Sequence, residues 1–97
     1  MVAHREARSA RLPCEVSRGL FTNERAVRIS LPEGRHVTAL VSQQDVVVDQ
    51  EIPEGQAVPG HVKVWLIAEE DDSAIVDLPQ PGFEGGPRLR VPRTWLE

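Results

Sequence analysis

Three histidines, one cysteine and a few groups of acids are the residues of this chain that could do chemistry. The histidines are His4, His36 and His61, and the thiol is Cys14. A zinc site draws on close-spaced pairs of ligands, and no such pair exists among these residues. His36 and His61 each open a strand-like stretch. They could share a metal with Cys14 or an acid only if folding set those strand ends side by side. Asp45, Asp49 and Asp77 stand near the ends of strand-like stretches, where turns use carboxylates for local hydrogen bonds. A catalytic carboxylate pair would need one member buried with a raised pKa. The run Glu69-Glu70-Asp71-Asp72 lacks the spaced ligand pattern of a dedicated calcium loop. Gly82-Phe83-Glu84-Gly85-Gly86 is rich in glycine, but no lysine or helix follows to hold phosphate. No nucleophile, base and metal set converges in these patterns, so they imply no enzyme, no cofactor and no metal ligands. A small hydrolase or metal-binding protein is the remaining chemical alternative.

The elements that would position these residues are strands. From Leu12 the apolar period is two: Leu12, Cys14 and Val16 alternate with Pro13, Glu15 and Ser17. Val27, Ile29 and Leu31 repeat the pattern against Arg28 and Ser30, and Val37, Ala39 and Val41 against His36, Thr38 and Leu40. Val46-Val47-Val48 is a short β-branched run. HVKVWLIAEE, residues 61–70, is the strongest strand. Val62, Val64 and Leu66 share one face, and Lys63, Trp65 and Ile67 the other. EEDDS turns the chain into Ala74–Leu78 as a hairpin, and Leu89 and Val91 mark the last strand. Between the first two strands, Thr22 or Asn23 could cap one helical turn beside Phe21.

The tripeptide Pro-Glu-Gly occurs twice, at 32–34 and 53–55. Proline presets φ at a turn's first central position, and glycine accepts the left-handed angle at its exit. The flanks of the two copies match poorly, so the repeat reflects turn chemistry and not duplication. The second copy opens a connection that is expected to run through Val58-Pro59-Gly60, and its prolines and glycines exclude a regular helix. The 79–87 stretch reads as a loop ordered by Phe83 folding back.

These patterns give an all-β domain of five to six short antiparallel strands, a small barrel either partly open or closed. Residues 1–10 are expected to be a flexible tail and 11–97 the barrel. The ending, DLPQPGFEGGPRLRVPRTWL, resembles the close of SH3-like barrels, in which a glycine turn, a strand, a proline, a short 3-10 turn and an aromatic–aliphatic pair finish the domain. The matching residues are Gly85, Gly86, Val91, Pro92, Trp95 and Leu96. The resemblance covers about the last fifth of the chain. It implies an SH3-like barrel in which Trp95 and Leu96 dock onto the core. The chain has no tyrosine, so it lacks the aromatic stretch with which SH3 domains grip proline-rich peptides, and that activity is not carried over. An OB-like roll is the competing architecture.

Charge narrows the partners. The net −4 is unevenly spread: residues 1–35 and 88–97 are basic on balance, whereas 36–87 hold one lysine, Lys63, against many acids. The middle would repel a nucleic-acid backbone. Arg5, Arg8, Arg11, Arg88, Arg90 and Arg93 could gather into a basic patch if the ends meet, which is the nucleic-acid-binding alternative. The lone Cys14 forms no internal disulfide, and no apolar run approaches a membrane span. The expectation is a cytoplasmic protein with no membrane partner. Strand 61–67 is apolar on both faces. With Val62, Val64 and Leu66 inward, Trp65 and Ile67, with Leu40 and Ile75 beside them, form the expected partner-binding surface of a non-catalytic module that associates with another protein or with itself; the reverse parity would place Trp65 in the core and leave the valines to be covered by another layer.

Overall fold

The structure, a computed structural model, describes residues 8–83 and 85–97. Among the described residues seven strands form: β1 (Arg8–Arg18), β2 (Glu24–Ser30), β3 (His36–Ser42), β4 (Val46–Val48), β5 (Val58–Glu70), β6 (Ser73–Asp77) and β7 (Arg88–Pro92). All pair antiparallel in one sheet of order β3-β2-β1-β5-β6-β7, with β4 added to β5. The sheet curls into a half-barrel. This is the small-barrel class read from the sequence, with one more strand than the five to six expected, and nothing in it singles out the SH3-like form over the OB-like one. Among the described residues no helix is long and apolar enough to cross a membrane.

Side-chain parity builds the interior. Leu12, Val16, Val27, Ile29, Ala39, Val41, Val62, Val64, Ala74, Val76, Leu89 and Val91 enter one buried cluster, joined by Ile52, Val58 and Leu78 from the strand ends and connections. Full burial of a Val or Leu side chain contributes about 1.5–3 kcal/mol each, so this shared lining is the main source of stability. Cys14, Leu31, Val37 and Leu66 are half-buried against it on the same side. Arg93–Trp95 forms the 3-10 turn read from the chain's ending, and Trp95 and Leu96 pack on the core. Glu97 then exchanges two backbone hydrogen bonds of 3.0 Å with Arg11, covering β1 where β2 has left it.

Three local expectations are corrected. β1 begins at Arg8, so residues 8–10 of the expected tail are strand; residues 1–7 lie outside the described residues. No helical turn forms at 19–23. The Gly19 N–H donates to the Glu24 carbonyl and the Glu24 N–H to that of Phe21, which makes a hairpin loop. Val58–Gly60 belongs to β5 and not to the preceding connection, because Val16, Glu15 and Cys14 of β1 pair with Val58, Pro59 and Gly60.

The two Pro-Glu-Gly copies fold differently. At the β2–β3 connection both Glu33 (φ 71°) and Gly34 (φ 78°) are left-handed. At the second copy only Gly55 (φ 76°) is, and the Gln56 N–H donates to the Pro53 carbonyl across the turn. The same three residues thus serve two turn types, chosen by what must be joined.

Gly60 has a different task. A Cβ there would sit 2.7 Å from the Val47 carbonyl oxygen, 2.7 Å from Val48 Cγ1 and 3.1 Å from Val16 Cγ2. At this position β5 has β1 on one edge and β4 on the other, since Gly60 pairs with both Cys14 and Val48. Gly60→Ala should destabilise the fold by about 1–3 kcal/mol through overpacking, read as a lower urea midpoint with unchanged m-value. Glu33→Gly should do the opposite and raise stability by about 0.5–1 kcal/mol, because it relieves a left-handed non-glycine residue at an exposed turn. An unchanged or lower midpoint for that variant would contradict the turn geometry.

Candidate functional site

Two surfaces stand out. The first lies on the outside of β5 and β6. Trp65, 37% exposed, pairs with Ser9 of β1 and Asp77 of β6, all facing away from the core. The Lys63 Nζ lies over its ring, 4.8 Å from the centre, a cation–π contact. Just beyond, the β5–β6 register shifts between Leu66 and Ala68. Ile67 is the extra residue of this bulge and is 41% exposed. A bulge re-aims side chains. Here Trp65 and Ala68 both face outward although Leu66 and Ile67 lie between them, where regular alternation would turn Ala68 inward. Ile75, half-buried on β6, pairs with Ala68 on this outer face.

Leu40 does not join them. It pairs with Ala26, which pairs with Ser17, near the opposite end of β1 from Ser9. The strands β2 and β1 stand between Leu40 and Trp65. The outer cluster is therefore Trp65, Ile67 and Ile75.

Three of the described terminal arginines are engaged by acids. Arg8 Nη2 lies 3.2 Å from Glu69 Oε1, and Arg90 Nη1 lies 3.1 Å from Glu70 Oε2 and donates to Ser73 Oγ. Arg88 grips Asp77 with two hydrogen bonds, of 2.9 and 3.1 Å. That grip, first through the hydrogen bonds and then through the adjacent positive charge, holds the Asp77 carboxyl below the usual carboxylate range. Arg11 and Arg93 are exposed, and Arg5 lies outside the described residues. The EEDD run is thus more than a solvated hairpin tip, since its two glutamates bind the arginines of β1 and β7.

The second surface was missed in the sequence. β3 and β7, the ends of the sheet order, are not paired with each other. Between them lies a cleft of about 630 Å³ lined by Arg28, Arg35, His36 and Arg88 and by the loop holding Gly82, Phe83, Gly85 and Gly86. Phe83 does not fold back into the core. Its side chain is 66% exposed, while its N–H donates to the Thr38 carbonyl at 2.9 Å, so the loop docks on β3 through its backbone. Arg35-His36 directly after a turn and an aromatic inside a glycine-rich loop are the sequence signals that could have flagged this cleft.

His36 and His61 do not meet. His36 lies 3.3 Å from Ser30 Oγ through Nδ1, and His61 lies 2.7 Å from Glu97 Oε2 through Nε2, on strands separated by β2 and β1. Cys14 is half-buried, and burial, aided by the nearby Glu15 charge, pushes its thiol up to about 12, far from the thiolate needed for nucleophilic work. Among the described residues no three His, Cys, Asp or Glu side chains come together in a way that could hold a metal ion.

Family models, curated proteins and solved structures were all compared with the chain, and none matches it. The functional reading therefore rests on geometry.

The Asp77–Arg88 pair gives a pH signature. A carboxyl whose folded pKa is depressed contributes stability above its unfolded pKa and loses it as pH falls through the folded value. Asp77→Asn should lower the melting temperature slightly at neutral pH, and its difference from wild type should vanish in strong acid, below the ordinary carboxylate range. A constant difference across thermal melts from neutrality to strong acid would contradict the pairing.

Proposed function

We propose that this half-barrel is a non-catalytic protein-binding module, and that the outer face around Trp65, Ile67 and Ile75 is where it associates, first of all with a second copy of itself. The observation that carries the reading is the exposure of Trp65 and Ile67 on the outer face of β5. It leaves large apolar side chains on the outside of a sheet whose inner face already lines the core. Aromatic residues of this kind dominate interface energetics. The rim supports self-association. Arg8–Glu69, Arg88–Asp77 and Arg90–Glu70 place both signs of charge on these strands, so a rotated copy meets opposite charges as readily as like ones.

The test is solution mass by sedimentation over a concentration series, for wild type and Trp65→Ser. Wild type should pass from monomer to dimer. The variant should stay monomeric with a melting temperature close to wild type, because Trp65 lies outside the core. A variant that unfolds, or a wild type that stays monomeric at high concentration, would defeat the self-association reading.

A further inference from the structure

The strongest remaining feature is the open cleft between β3 and β7, and we infer that it accepts an extended acidic peptide, added as a strand along the free edge of β3. This goes beyond the Trp65 reading and stands or falls separately from it.

The argument begins with main-chain groups. β3 pairs with β2 along one edge only. In an antiparallel ladder, alternate residues turn their N–H and C=O to opposite edges. The Phe83 N–H reaches the Thr38 carbonyl, so Thr38 faces the free edge, and by alternation so do His36 and Leu40. That one loop bond occupies the Thr38 carbonyl, and the incoming strand would displace it. Gly82 makes the approach close, since a Cβ there would sit 3.0 Å from Val37 Cγ1 and 3.5 Å from the Thr38 oxygen. Around it, Gly85 and Gly86 have nothing within 4 Å of where a Cβ would be, which leaves room for a second chain. Strand addition to an exposed edge takes affinity from such main-chain bonds and specificity from the flanking side chains.

Those side chains select for acid. Arg28, Arg35 and His36 line the cleft, and among the described residues neither Arg28 nor Arg35 has a carboxylate within 4.0 Å. Arg88, the fourth cation, is held by Asp77. No carboxylate occurs among the described residues of the lining. Phe83 and Leu89 offer apolar contact for an alternate side chain of the incoming strand. A peptide is favoured over a nucleic acid because unpaired groups at strand spacing match a main chain, whereas single strands are held by several stacked aromatics and the cleft has one.

The test is a titration of the isotope-labelled full chain, followed by backbone amide NMR. The probe is a capped peptide of about eight residues alternating Glu and Val, matched to the length of β3. The amides of His36, Thr38, Leu40 and Phe83 should shift. Arg28→Glu and Arg35→Glu should each weaken binding about fivefold or more, with the remaining spectrum unchanged to show that the fold persists. A peptide with Lys in place of Glu should not bind. No shift at about 1 mM peptide would overturn the inference, as would equal binding of the Lys peptide or shifts centred on Trp65. Tighter binding of an oligothymidylate at the same amides would reassign the cleft to nucleic acid. Shifts at these amides that grow with protein concentration alone would reassign it to a second copy, inserted through its acidic hairpin tip.

Discussion

Everything in this fold hangs on β5 having hydrogen-bonded neighbours along both edges. β1 runs along one edge from Val58 to Leu66, while β4 and then β6 share the other. A central strand so placed must be apolar on its inner face and must let its neighbours come close. Val58, Val62 and Val64 meet the first demand and Gly60 the second. Two prolines mark where partners stop: β2 ends its pairing at Glu15, shortly after Pro13, and β4 ends at Gly60, next to Pro59. Proline has no donor to extend a ladder, so its placement next to these ends is consistent with the sheet geometry. Because the sheet is anchored at its centre, its two ends are left to curl toward each other without joining.

The uneven charge of the chain has a structural reason. Its basic ends supply β1 and β7, and its acidic middle supplies the β5–β6 hairpin lying between them in the sheet. Arg8–Glu69, Arg90–Glu70 and Arg88–Asp77 then form across adjacent strands. Exposed pairs of this kind add little stability each. Their larger effect is on register and on the outer surface, where the arginines that might have gathered against a polyanion are spread among carboxylates. Arg28 and Arg35, from β2 and the turn after it, have no carboxylate within 4.0 Å among the described residues and give the cleft its sign.

What could be read in the sequence was local. Period-two alternation assigned the inner faces of β1, β2, β3 and β7 correctly, because a strand with one wet face records its orientation in residue types, whereas β5, apolar on both faces, left its inner face open. The 3-10 turn with Trp95 and Leu96 was legible from Pro92 and the aromatic–aliphatic pair that follows it. Features that depend on a distant partner were not. Gly60 looks like part of a turn until β4 and β1 are placed beside it. The bulge at Ile67 leaves no mark in the string, since the extra residue is counted against β6. Leu40 has the outward parity of Trp65 but sits at the far end of the sheet, and parity says nothing about distance along or across strands. The cleft arises from the failure of β3 and β7 to meet, which no single segment encodes.

The long union of β1 with β5 also sets the order in which the chain can assemble. β2 with β3, and β5 with β6, are hairpins whose halves meet after a short search. β1 must find β5 across the whole β2–β4 stretch, since Val16 lies against Val58 and Arg8 against Leu66. Closing a loop of that length costs entropy before any contact repays it, so topology of this kind folds slowly for its size.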